Sequence, residues 1–135
     1  MRDYLPEDAI LDGKQATGDG ITLDVKDYRH KCLALSTLGV GAGDTVKFKV
    51  KGSNQEDVDF GSAKSATNRW DYIAVVDLQS GSTIAGDTGI SVADANDVML
   101  FAVNVDGLAK LTVEVDTISD TTNNKAYAHL SQYNA

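Results

Sequence analysis

Apolar and polar residues alternate with a period of two through most of the chain from Ile21 onward. In "ITLDV" the period sets Ile21, Leu23 and Val25 on one face, and in "TVKFKVKG" it sets Val46, Phe48 and Val50 against Thr45, Lys47, Lys49 and Lys51. Such alternation marks a half-buried β-strand, so the three lysines are expected on its solvated face. The intervening "KCLALST" predicts a strand buried on both sides. The run "RWDYIAVVDL" predicts another, with Trp70, Tyr72, Ala74 and Val76 directed into the core and Arg69, Asp71, Ile73, Val75 and Asp77 on the other face. Further strands are expected in "TIAGDTGISV", "DVMLFAVNV", "AKLTVEVDT" and "AYAHLSQY", with "GVGAGD", "QSGS" and Asp106-Gly107 as turns. Roughly eight short strands and no convincing long helix predict an all-β fold, an antiparallel β-sandwich or jelly-roll-like domain.

The first twenty residues do not follow this period. Pro6, Glu7 and Asp8 suit the start of a helical turn running to Leu11, and "DGKQATGDG" then stops it. The expected organisation is therefore an extended N-terminal arm over residues 1–20 and a β-sandwich domain over residues 21–135. Tyr4, Leu5, Ile10 and Leu11 give the arm an apolar side that needs cover, and a neighbouring subunit is the expected partner interface.

The 135 residues are 42% hydrophobic and 7% aromatic, which suffices for one domain whose core comes mainly from Val, Leu, Ile and Ala. Twenty acids against twelve basic residues leave a formal charge of −8. Nucleic acid is thereby excluded as an expected partner, because phosphate binding needs clustered Lys and Arg. No stretch approaches the roughly 18 apolar residues of a membrane helix, and the N-terminus lacks a signal-peptide pattern, so no membrane partner and cytoplasmic synthesis without a signal peptide are expected. Cys32 is the single cysteine and cannot form an internal disulfide.

Candidate chemistry is sparse. Asp71 and Asp77 are six residues apart, about 20 Å along one strand, too far to act as a pair. Asp71 is read as a solvent-facing position and Asp77 as the entry to the turn at Gly81. His30 and Cys32 project from the same strand face, but no signature of a cysteine hydrolase flanks them, and a small buried thiol is the ordinary role. "DANDV" at 94–98 and "EDVDF" at 56–60 gather oxygen ligands without the Gly and terminal Glu of a calcium loop. "GDTGI" and "GVGAGD" lack the Gly-Lys-Ser/Thr ending of a phosphate loop. No catalytic residue, cofactor or metal ligand is assigned.

Residues 59–115 contain "DF" before a Ser/Ala-rich loop, then "NRWDYI" leading to "DL", "IAGDTGI" and "NVDGL". In these features the chain resembles a group of small β-sandwich proteins encoded among bacteriophage and prophage structural genes. The group often carries an aromatic shortly after "GL", where Ala109 and Lys110 stand here. The resemblance implies a virion component and supplies no catalytic residues. In size, acidity and layout the chain is also similar to phage capsid decoration proteins, so the expected function is a non-enzymatic auxiliary head protein. It would bind the major capsid protein on the outer capsid surface as a homo-oligomer, with a trimer favoured. Alternatives are another self-assembling subunit (tail tube, fibre base or filament), or a carbohydrate-binding module using Trp70, Tyr72 and Tyr28 as a stacking platform.

Overall fold

A computed structural model describes residues 4–103 and 107–133. The strands, numbered in chain order, form two antiparallel sheets. Sheet I runs in spatial order β1 (Tyr4–Lys14), β12 (Lys125–Tyr133), β4 (His30–Leu38), β10 (Val98–Val103), β7 (Val75–Asp77) and β8 (Thr83–Ile84). Sheet II runs β2 (Gly18–Asp19), β11 (Lys110–Ile118), β5 (Thr45–Ser53) and β6 (Asp71–Tyr72), with β3 (Leu23–Asp24) also pairing β11 and β9 (Ile90–Ala93) also pairing β5. The architecture is the expected all-β sandwich.

Alternation dictates which side chains fill the space between the sheets. Sheet I contributes Leu33 and Leu35 of β4, Ala128 and Leu130 of β12 and Phe101 of β10; sheet II contributes Val46, Phe48 and Val50 of β5 and Leu111, Val113 and Val115 of β11. All are buried. Gly39, after β4, has φ 70°, and a Cβ there would lie 2.0 Å from the Asn123 carbonyl oxygen. Only glycine fits where these two turns meet.

The N-terminal segment is not an arm. Residues 4–14 form the edge strand of sheet I, paired with β12 from Tyr4 opposite Tyr133 to Lys14 opposite Ala126. Its pairing is interrupted by three register shifts, the last two flanking Leu11 and Asp12, and these let Ile10 and Leu11, though adjacent, both reach the core. The irregularity that hides the two-residue period from sequence reading is therefore what integrates the strand. Ile10 and Leu11 are buried within their own chain and not held out to a partner. The side chains of Tyr4 and Leu5 lie outside the described part, as does Asp106 of the expected Asp-Gly turn; Gly107 has the positive φ, 88°, that such a turn requires.

"RWDYIAVVDL" also departs from expectation. It is two short strands, β6 in sheet II and β7 in sheet I, joined by a crossing at Ile73 and Ala74. Tyr72 lies opposite Lys51, and partners across a strand pair share a face, so Tyr72 and Trp70 point outward with the lysine. Ile73 and Val75 point inward instead. Trp70 is thus half-buried on the outside of sheet II, not in the main core.

Candidate interaction surfaces

On the outer face of sheet II, charge is paired. Lys51, expected on a solvated face, is only 4% exposed. Its ammonium group lies 2.9 Å from Asp19 Oδ1 and 2.9 Å from Glu114 Oε2, and donates to the Phe60 carbonyl at 3.0 Å. One cation thus holds two carboxylates and a carbonyl. The Trp70 ring centroid is 4.5 Å from the same nitrogen, and Trp70 meets Tyr72 and Phe60 edge-on. Trp70 Nε1 donates to the Ser62 carbonyl, which ties the loop of residues 54–68 over the face. Lys49 adds a pair with Asp116 at 3.7 Å and lies over the Tyr72 ring.

Burial pulls the Lys51 pKa down, but hydrogen bonds and charge from Asp19 and Glu114 outweigh it and raise the pKa above 10.5. Burial, then the Glu114 charge, raises that of Tyr72 above 10.0. Both groups hold their protons more tightly in the folded state, so their contribution is complete below the unfolded values and is lost as pH rises through the folded ones. The melting temperature is therefore expected to fall above pH 10, and less steeply in Lys51→Met; melts taken across the alkaline range check this.

Trp70 and Tyr72 stand at 83° to one another, so they form no flat stacking platform. An open groove of about 660 Å³ beside Trp70 is lined by Ser53, Asn54, Lys64, Arg69, Ile73 and Leu108 among others. Lys64 and Asp71 form an ion pair across 2.8 Å in this groove, and the hydrogen bond from Lys64 holds the Asp71 carboxyl below its ordinary value.

The outer face of sheet I has the opposite character. Outward positions of β4 are His30, Cys32, Ala34, Ser36 and Leu38, of which the small Cys32, Ala34 and Ser36 form a trough. On one side stands an aromatic row from β12, with Tyr133 stacked on His30 at 4.9 Å and Tyr127 parallel to His129. On the other stand Val98 and Leu100 of β10, with Leu78 nearby across a small depression. Val98 is 72% exposed, Leu78 52% and Leu100 48%. Sequence reading missed this face. The signal was "KCLALST", read as covered on both sides: one side is covered by sheet II, and the other is open in the single chain.

The remaining candidates serve the scaffold. Asp77 accepts from Gln79 N, and its carbonyl accepts from Gly81 N, which closes the expected turn. Cys32 lies between Ser131 and Ala102, with Ala34 rather than Cys32 opposite His129. In the 94–98 run, Asp94 accepts from Gly43 N, Asn96 from Val40 N and Asp97 from Val98 N. In the 56–60 run, Glu56 pairs with Lys26, whose bond lowers the Glu56 pKa, and Asp59 accepts from Gly61 N and Ser62 Oγ. These oxygens close loops. Among the described residues, no three His, Cys, Asp or Glu side chains gather as a metal site.

No family model and no curated protein matches the sequence. Among solved structures, the fold is similar to the SPBc2 prophage-derived protein YomS, with TM-score 0.60 and 12% identity over 96% of this chain and 92% of that one. It is also similar to the PBSX exported protein XepA, with TM-score 0.62 and 15% identity over 98% of this chain and 39% of that longer one. At these identities the likeness shows a shared fold.

Proposed function

We propose that this chain is a non-enzymatic structural protein of a bacteriophage particle, a capsid decoration or auxiliary head protein acting as a homo-oligomer on the major capsid protein. The observation that carries this reading is that the fold is similar to that of a prophage-derived protein, YomS, and of a PBSX exported protein, XepA, and that the likeness runs over nearly the whole chain, nearly end to end in YomS. The open face of sheet I fits a subunit that works in an assembly, and the net charge of −8 keeps such subunits soluble before they assemble. Perpendicular Trp70 and Tyr72 disfavour the carbohydrate module.

The test is to purify particles from the source phage or prophage, measure the chain's copy number by mass spectrometry, and compare heads and tails after separation. Many copies on heads, with heads lacking the chain breaking at lower temperature, are the expected result. Enrichment in tails would transfer the role to a tail subunit, and absence from particles would refute the proposal.

A further inference from the structure

Among the described residues, the two outer faces of the sandwich divide the chain's charge unequally. Sheet II carries lysines paired with acids across its strands. On the three middle strands of sheet I, the outward positions from Tyr127 to Tyr133, from His30 to Leu38 and from Val98 to Ala102 include no Asp, Glu, Lys or Arg, and Lys125 and Asp12 stand at the margin. In a chain with twenty acids that is a large omission. Depletion of charge with aromatic enrichment is the composition of an interface centre, and exposed Val98, Leu78 and Leu100 side by side are what a lone soluble domain avoids.

We propose that the outer face of sheet I packs against the same face of a second copy of this chain. The relief is self-complementary. A ridge of Val98 and Leu100 runs beside a trough of Cys32, Ala34 and Ser36, so a two-fold axis near β4 and β10 lays each ridge in the other copy's trough. Strands about 4.8 Å apart and rising about 3.3 Å per residue give the charge-free part of this face, on β12, β4 and β10, a projected area of roughly 300–450 Å² per copy. That is about half of the roughly 800 Å² each partner gives to a standard interface, which places the contact at the weak, concentration-dependent end. Electrostatics favour the middle of this face, since two molecules of charge −8 repel wherever their acids meet, and the nearest acids, Asp12 opposite Tyr127 and Asp77 and Asp97 beside Leu78, stand at its margins. Edge pairing is the competing route to self-association, and both edges of sheet I are blunted: β1 by three register shifts, β8 by its length of two residues.

This inference rests on the homo-oligomeric part of the proposed function and names its surface. Its test is the molar mass of the full chain, by light scattering and sedimentation equilibrium over a wide concentration range. Wild type is expected to be dimeric or larger, and Leu100→Asp and Ala34→Arg should each weaken association at least about tenfold, because each puts an unpaired charge into the contact. Ile21→Asp, which changes an exposed apolar residue outside this face, should leave the mass unchanged. Circular dichroism must show both interface variants folded; if one is not, the other carries the test. A wild type that stays monomeric, or an oligomer indifferent to both variants, overturns the inference. Neither outcome bears on whether the chain is found in particles, so failure here is separable from failure of the virion reading.

Discussion

Deleting residues 1–20 is expected to abolish the native fold. Ile10 and Leu11 are 3% and 2% exposed, and removing either side chain from a core costs about 2–5 kcal/mol. The deletion also strips the partner strand from β12, whose backbone is paired with β1 along its length, and leaves Leu130 and Ala128 open on a new edge. Asp19, one of the two carboxylates on Lys51, goes with it. Domains of this size are stable by about 5–15 kcal/mol in total, so these losses together exhaust the margin. Circular dichroism should show most of the β signal gone and no cooperative melt, whereas Leu11→Ala alone should fold and melt several degrees lower. A truncated protein that melts like the full chain would show that β1 contributes nothing.

Strand positions were legible wherever one face meets the core and the other meets water. β5 alternates from Thr45 to Lys51 and β11 from Lys110 to Asp116, and both were found. Three things were not legible, for separate reasons. β1 has register shifts that break the period, and periodicity is the only signal a single strand gives. The crossing at Ile73 and Ala74 moves the chain between sheets, so one continuous apolar run serves two cores and the inward parity changes hands midway. Trp70 was assigned to the core because it shares a parity with Ala74 and Val76, yet its position on the side of the lysine row depends on pairing between β5 and β6, which are some twenty residues apart in sequence. The candidate interface left a weak trace. A strand whose one charge, Lys31, stands near its end needs cover on both sides of its middle, and nothing in the sequence distinguishes cover by its own domain from cover by another molecule.

Lys51→Met is expected to cost about 3–5 kcal/mol, toward the lower end because its partners keep some access to water. The side chains of Asp19 and Glu114 are 19% and 16% exposed, so part of their stranded charge can still be solvated. Three losses coincide. Two carboxylates that shared one cation are left facing each other, the Phe60 carbonyl loses its donor, and Trp70 loses the cation above its ring. Lys51 therefore joins strands β2, β5 and β11 to the loop that carries Phe60, and the lysine row read as solvated surface is in this one place a buried tie. The cost should arise from the stranded acids more than from the missing lysine. Accordingly, the triple variant Lys51→Met, Asp19→Asn, Glu114→Gln should recover much of the stability, since replacing a whole ion group with neutral residues is often close to neutral. Denaturant unfolding gives the two free energies, and the single tryptophan reports locally because its emission should shift when Lys51 is lost. A single variant costing less than about 1 kcal/mol would place this cluster among screened surface pairs. A triple variant as unstable as the single one would assign the stability to the ammonium's own hydrogen bonds.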